Sequence, residues 1–388
     1  MNNKQKAVIV GGSNGLGLAL GRHLISSGYY IEICDRVKPE QGFLEENAYC
    51  YHECDLTHFD EILFQKLASD PDVSVLIITA GIGRIADFEY YHPAEIEKTI
   101  TINSISAIKI LRLFYNRIRS NRTFYTGVIG SIAGWLVSPA ASVYAASKAA
   151  IVRFIESVNI ELEVSGTTNR ILDVSPSSFK GSKFYGGKND LSLLMPLAKD
   201  IFDNLLSRNT LLIPQYEEVF KAVLSRYQDN PHGFGLQSYD YKIKSGRLDN
   251  NPRVKIGYMS GTFDLFHIGH LNIIRRAKAQ CDYLVVGVHE SGKRKGKETF
   301  IPFEERKDIV ASCRYVDRVV DAQPEDTDIW PELHYNRLFV GSDYKGSDRF
   351  KKYEEFFADK DVEIVYFPYT QGTSSTQLRN NILNSPQS

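Results

Sequence analysis

The sequence predicts two α/β domains, each a doubly wound parallel sheet, and three observations carry that prediction. Compact apolar runs such as Lys6–Val10, Val73–Ile78 and Tyr283–Val288 lack polar alternation, which is how strands buried on both faces read. Two of these runs end in glycine-bearing turns that open helices, at Gly11-Gly-Ser-Asn-Gly-Leu-Gly17 and at Tyr258-Met-Ser-Gly-Thr-Phe-Asp-Leu-Phe-His-Ile-Gly-His270. A chain of 388 residues is also long enough for two separate cores.

Bulk properties narrow the function. A formal net charge of −1, with Lys293-Arg-Lys-Gly-Lys297 the one local basic cluster, argues against nucleic acid or an anionic membrane as partner. No apolar run approaches a membrane span, and a cytoplasmic protein acting on small molecules is expected. The five cysteines, 34, 50, 54, 281 and 313, show no CxxC pair and read as reduced thiols. Cys50-Tyr-His-Glu-Cys54 lacks a second ligand pair and reads as ordinary strand and loop, so no metal site is expected.

In the first half, Lys6–Val10 reads as a strand, and the turn that follows leads into a helix over 18–27. Glycines at such a turn let the backbone approach a pyrophosphate seated on the helix N-terminus. The next strand ends in Asp35, eighteen residues after Gly17, where a carboxylate accepts from ribose hydroxyls and repels a 2′-phosphate, so NAD(H) is expected in preference to NADP(H). Asp55-Leu56 follows a third strand, Thr79-Ala-Gly81 a fourth, and Ser131 a fifth; Asn103 lies in a helical stretch. Tyr144 and Lys148, four apart, share one helix face.

Gly11, Gly15 and Gly17, with Ser13, Asn14 and Leu16 in the same turn, and then Asp35, Asp55, Leu56, Ala80, Gly81, Asn103, Ser131, Tyr144 and Lys148 come in an order that resembles a short-chain dehydrogenase/reductase over roughly 5–235. The resemblance implies a Rossmann-like domain binding a nicotinamide cofactor through the turn, Asp35, Asp55, Leu56, Ala80, Gly81, Tyr144 and Lys148. It makes Tyr144 the acid that protonates the carbonyl oxygen, Ser131 its hydrogen-bond partner, Lys148 the cation beside the phenol and the nicotinamide ribose, and Asn103 the anchor of a water. A nearby cation favours the ionised phenol and so lowers its pKa. One departure is Val174-Ser-Pro-Ser-Ser-Phe179, where the family carries Pro-Gly. Arg84, Lys180 and Lys183 are candidates to grip a phosphate on the substrate.

The segment 213–224 reads as the last helix of this domain, so that 1–235 is the dehydrogenase, 236–252 a polar linker and 253–388 the second domain. There, strand 254–257 and the turn at Gly261 lead to a helix whose first turn holds His267 and His270, two imidazoles on one face of an anion-binding helix end. Later strands read at Tyr283–Val288, 319–321, 338–343 and 362–368, with a helix from Glu304.

The histidines in their Gly-Thr-Phe-Asp context, with Cys313-Arg-Tyr-Val-Asp317 and Thr370-Gln-Gly-Thr-Ser-Ser-Thr376, are similar to the glycerol-3-phosphate cytidylyltransferases and their choline- and ethanolamine-phosphate relatives. The resemblance implies a CTP site formed by Gly261, Thr262, Phe263, His267, His270, Lys293, Lys295, Arg314, Asp343, Thr370, Gly372, Ser374, Ser375 and Thr376, with the histidines and the two lysines catalytic and Mg²⁺ on the phosphates. Tyr369 and Thr373 stand where relatives carry arginine and isoleucine. Together the two resemblances imply a bifunctional enzyme that reduces a ketose phosphate, ribulose 5-phosphate first, with NAD(P)H. It then transfers CMP from CTP to the polyol phosphate, giving CDP-ribitol, or CDP-arabinitol, CDP-glycerol or CDP-mannitol, for capsule or teichoic-acid polymers. Two other readings are a dehydrogenase acting on the CDP-linked product and a first half that only binds nucleotide or dimerises. Both families also imply a homo-oligomer.

Overall fold

The computed structural model describes residues 5–182, 184, 188–291 and 298–368. The chain divides into two compact units, Met1–Pro252 and Arg253–Ser388.

The first unit is a seven-stranded sheet of β1 (Lys6–Val10), β2 (Tyr30–Asp35), β3 (Tyr49–Glu53), β4 (Val73–Ile78), β5 (Tyr125–Ile129), β6 (Ile171–Val174) and β7 (Leu211–Leu212). Every pairing is parallel, in the order β3-β2-β1-β4-β5-β6-β7. Alternation along β1 explains the two layers. Val8 and Val10 pack with Phe64, Phe114 and Ile151 from helices on one face, while Ala7 and Ile9 pack with Leu20, Leu194 and Ile201 on the other. Each such side chain removed from water contributes about 1.5–3 kcal/mol, so both faces are specified by apolar residues. The strand order reverses between β1 and β4, and the turns after these two strands therefore diverge to leave a crevice at the strands' C-terminal ends.

The end of this unit differs from the sequence reading. The expected last helix begins as a π-helical turn, Tyr216–Phe220, continues as Lys221–Asp229, and is followed by a further helix, Pro231–Lys244. Residues 236–252 thus begin inside a helix, where a linker is expected. Lys242, 8% exposed, donates to the Ser138 hydroxyl and the Pro139 carbonyl, and Tyr239 and Asn250 both donate to Asp87. The segment is anchored by polar bonds and not by an apolar stripe, which is why its composition reads as a linker.

The second unit is a five-stranded parallel sheet of β8 (Ile256–Gly261), β9 (Tyr283–Val288), β10 (Arg318–Asp321), β11 (Arg337–Gly341) and β12 (Glu363–Phe367), ordered β10-β9-β8-β11-β12. Again alternate residues serve two layers, Met259, Val286 and Phe339 on one face and Tyr258, Val285 and Leu338 on the other. The reversal falls between β8 and β11. Two helices with no counterpart in the sequence reading, Trp330–Leu333 and Asp348–Phe357, cover the second layer through Leu333, Phe350, Tyr353 and Phe357. Among the described residues no helix is long and apolar enough to cross a membrane.

Candidate active sites

In the first unit glycines let the turn after β1 fold back closely on the sheet. Gly11 sits at φ +85°, and a Cβ there would lie 2.6 Å from the Ala80 nitrogen; a Cβ on Gly17 would lie 2.2 Å from the Gly11 carbonyl oxygen. The helix Gly15–Ser26 starts in this turn with no acidic residue in its first turn, so its N–H groups can face an anion. Asp35, at the end of β2, accepts from the backbone N–H of Ser13 at 3.0 Å and of Arg36 at 2.7 Å. That carboxylate is fixed beside the turn. Asp55 accepts from Thr57, and the Leu56 carbonyl accepts from Ser106. These donors, the glycine-lined turn and the fixed carboxylate fit a nicotinamide dinucleotide.

Asn103, Ser131 and the helix that carries both Tyr144 and Lys148 are separate elements that meet beyond the ends of β4 and β5. Asn103 lies in a π-helical turn, Thr101–Ile105. It is 3% exposed, and its side chain exchanges two bonds with the Ile82 backbone and donates to Ser147. A Cβ on Gly81 would lie 3.4 Å from both Asn103 Oδ1 and Lys148 Nζ; the bare glycine lets these two groups converge. Lys148, on the helix Ser142–Val164, is 3% exposed and donates to the Ile129 carbonyl at 2.7 Å. Its ammonium lies 5.8 Å from the centre of the Tyr144 ring. Burial pulls the Lys148 pKa down to about 8, against the opposing attraction of Asp173. Ser131 is buried and opens the short turn Ile132–Gly134, which packs on the Lys148 backbone. Gly83 packs on the Tyr144 ring.

Of the three residues expected to grip the substrate phosphate, the structure corrects one. Arg84 is 4% exposed and donates to the carbonyls of Tyr90, Asp249 and Asn251 and to Glu95. It clasps the end of the unit and does not reach for substrate. Lys180 is exposed on the loop, and Lys183 lies outside the described residues.

Sequence reasoning missed two residues here. Asp173 on β6, 3% exposed, accepts from Ser175, which in turn accepts from Trp135. Burial pushes its pKa up to about 6, opposed by the Ser175 hydrogen bond and by Lys148. The signal was a single carboxylate inside the apolar run Ile171-Leu-Asp-Val174. Asn189 accepts from the Gly15 N–H and donates to Asn14, so its amide oxygen sits at the helix end where a phosphate oxygen is expected. Nothing in its local sequence marks it.

In the second unit β8 ends at Gly261, and the chain passes Thr262, then Phe263 and Leu265, two non-glycine residues at φ +50° and +49°. Backbone strain of this kind costs on the order of 1 kcal/mol per residue and needs support. The support is Arg306, fully buried, whose guanidinium donates to the carbonyls of Thr262, His289, Glu290 and Ile301. Asp264 completes the brace by accepting from the Phe300 and Ile301 N–H groups. Sequence reasoning placed neither residue in the site.

His267 caps the helix Ile268–Lys278 and His270 is its third residue. His267 Nδ1 accepts from the Gly269 N–H at 3.0 Å, and His270 Nδ1 faces the His267 N–H at 3.4 Å. The rings stack with centroids 4.0 Å apart. Burial holds the His267 pKa below its ordinary value. With Nδ1 accepting, the neutral ring carries its proton on Nε2, so each Nε2 can present an N–H to a phosphate oxygen. Asp343 lies in the turn Ser342–Tyr344 after β11, across the β8/β11 reversal from the histidines. Arg314 lines an open depression with Phe266 and Leu271 at the start of the same helix. Lys293, Lys295, Thr370, Gly372, Ser374, Ser375 and Thr376 lie outside the described residues.

Comparison with known proteins agrees with this division. Residues 5–184 match the short chain dehydrogenase family model, and residues 258–381 match the cytidylyltransferase-like model. An uncharacterised oxidoreductase of Saccharomyces cerevisiae is 29% identical over 205 residues, half of this chain and 67% of that protein. The glycerol-3-phosphate cytidylyltransferase of Bacillus subtilis is 36% identical over 126 residues, 31% of this chain and 92% of that protein. The ethanolamine-phosphate cytidylyltransferase of Dictyostelium discoideum is 36% identical over 146 residues, and the chain spans only 39% of its length.

Proposed function

The chain belongs to the cytidylyltransferases through its second unit, carries a short-chain dehydrogenase domain as its first and is a bifunctional enzyme; on that premise we propose that it makes a CDP-polyol from a ketose phosphate. The observation that carries this reading is the pairing of a carbonyl-reducing set, Asn103, Ser131, Tyr144 and Lys148, with a transferase unit whose relatives are named for phosphomonoester acceptors. Reduction of a ketose phosphate leaves the phosphate intact, so the product of the first unit is an acceptor for the second. Ribulose 5-phosphate and CDP-ribitol are the first assignment, with arabinitol, glycerol and mannitol phosphates next, and capsule or teichoic-acid polymers as the destination.

In the first unit the turn at Gly11–Gly17 and Asp35 hold the dinucleotide, with NAD(H) preferred to NADP(H) because Asp35 repels a 2′-phosphate. When bound, the nicotinamide supplies the hydride. Ser131 hydrogen-bonds the substrate carbonyl, and Tyr144 gives its phenolic proton to the oxygen as negative charge grows there. Lys148 lowers the cost of the phenolate left behind, and Asn103 fixes the backbone and water path by which Lys148 meets solvent. In the second unit the acceptor phosphate attacks the α-phosphorus of MgCTP and pyrophosphate leaves. His267 and His270 donate from Nε2 to the oxygens gaining charge, at the positive end of their helix. Lys293, Lys295 and the 370–376 segment complete the phosphate contacts, and Mg²⁺ arrives with the triphosphate.

The test incubates the full chain with NADH, CTP, Mg²⁺ and a panel of ketose phosphates, following NADH absorbance and pyrophosphate together. Pyrophosphate that requires both NADH and one ketose phosphate is the expected result. Pyrophosphate from CTP and a ketose phosphate without NADH would establish the reverse order, with the dehydrogenase acting on the CDP-linked product. Tyr144→Phe is expected to cut NADH oxidation by about 10²–10⁴-fold while leaving transfer to added polyol phosphate unchanged; unaltered oxidation would mean that Tyr144 is not the acid.

A further inference from the structure

Apart from the residues of the first unit's crevice, the edge of its sheet gathers a further chemical cluster. Cys50 and His52 are two apart on the edge strand β3 and so share a face. Glu32 on β2 is the register partner of Cys50. One ligand atom from each of Glu32, Cys50 and His52 falls in a group whose members all lie within 4.8 Å of one another. His52 Nε2 is 2.8 Å from Glu32 Oε2. Glu32 is 7% exposed, so its charge has been taken largely out of water and is held only by its neighbours. Its other oxygen, Oε1, is 3.4 Å from Lys6 Nζ, and Lys6 is itself 2.7 Å from Asp70. Cys54, just past the end of β3, is buried in the core with Cys34 and takes no part.

We propose that Glu32, Cys50 and His52 form a zinc site that clips the edge strand β3 to β2, with water as the fourth ligand. A thiolate, an imidazole and a carboxylate are the borderline-soft set that Zn²⁺ takes and that Mg²⁺ and Ca²⁺ do not. The charges close. Zn²⁺ with one thiolate and one carboxylate is neutral, and Lys6 with Asp70 is a neutral pair behind it. Lys6 on Oε1 turns Oε2 toward the site, the outer-shell role that fixes a carboxylate as a one-oxygen ligand. A tetrahedral ion with ligands at about 2.0–2.1 Å needs the imidazole nitrogen and carboxylate oxygen about 3.3 Å apart, so His52 has to withdraw from Glu32 by about half an ångström.

The protons balance as follows. Without metal, His52 Nε2 shares its hydrogen with Glu32. Cys50 is a thiol, its pKa raised by burial and then by the Glu32 charge. On binding, Nε2 gives its lone pair to zinc and the imidazole proton moves to Nδ1. The Cys50 proton is released to solvent, one per zinc ion. The site stands independently of the reactions proposed above.

The experiment titrates the reduced full-length chain with Co²⁺, a spectroscopic stand-in for zinc, and then with Zn²⁺. Expected are a thiolate-to-cobalt charge-transfer band with the intense visible bands of a four-coordinate ion, bleached by one equivalent of Zn²⁺. The charge-transfer band disappears in Cys50→Ser, and cobalt affinity falls by at least about tenfold in His52→Gln and in Glu32→Gln. Zinc also raises the unfolding temperature of the wild type but not of Cys50→Ser. A titration with only weak six-coordinate visible bands would overturn the proposal. So would a charge-transfer band that survives Cys50→Ser, since the sulfur would then come from another cysteine.

Discussion

In the first unit the turn after β1 keeps its shape through glycines at the points of closest approach, whereas in the second the turn after β8 keeps its side chains and is braced from behind. Gly11 and Gly17 leave no space for a Cβ, so the backbone itself forms the cradle. Phe263 and Leu265 stay in the left-handed region with full side chains, and Arg306, some forty positions along the chain, holds the carbonyls around them. The same task, exposing N–H groups at a helix start, is solved locally in one case and by a distant cation in the other. Local solutions tie function to the turn's own residues. Braced ones tie function to whatever carries the brace.

Arg306→Met tests the braced turn most severely. It leaves four partly buried carbonyls without their donor, a loss of about 3 kcal/mol, and it removes the support for the strained Phe263 and Leu265. Cytidylyl transfer should vanish and the second unit should melt earlier, with NADH oxidation by the first unit intact. Transfer at wild-type rate in a stable variant would show that the turn holds its own shape, as in the first unit. Gly17→Ala is the matching change there. An added Cβ 2.2 Å from the Gly11 carbonyl forces the turn open, and we expect NADH affinity to fall by about tenfold or more with transfer unaffected. Unchanged NADH binding in equilibrium fluorescence titrations would refute the account of the cradle.

The contrast also explains what the sequence made legible. The turns, strands and paired Tyr144 and Lys148 of the first unit were readable because glycine placement, apolar runs and helical spacing are local. Asn103 and Ser131 came only through family order: the bonds of Asn103 to Ile82 and Ser147 join separate segments, and the Ser131 bond to Ala133 is a local turn that any serine can make. Arg306 and Asp173 were not read at all, because a buried charge is defined by partners that only tertiary packing supplies. Arg84 was misread for the same reason: its position after Ala80-Gly81 suggested a ligand, but its partners lie at 249 and 251. The part of the helix Pro231–Lys244 from 236 onward reads as linker in the sequence because its anchor is a lysine stem and not a leucine stripe.

A smaller effect asks whether the first site is also partly braced. Asp173 sits behind Gly130, where a Cβ would lie 2.3 Å from its Oδ1, and its charge supports the Lys148 ammonium. Burial lowers Lys148 to about 8, and Asp173, raised by burial to about 6, is ionised above that pH. Asp173→Asn removes the attraction that opposes burial, so Lys148 should lose its proton at a lower pH. Reduction needs that cation beside Tyr144, and the alkaline limb of kcat/KM should therefore move toward acid. The variant and wild type should agree near pH 5.5, where Asp173 is already protonated, and differ by a few-fold at about pH 7.5. NADH binding followed over the same pH range separates a shifted lysine from a misfolded site, since misfolding would weaken binding at every pH. An unmoved limb would mean that Lys148 is set by burial alone and that the first site, unlike the second, draws nothing from a buried charge behind it.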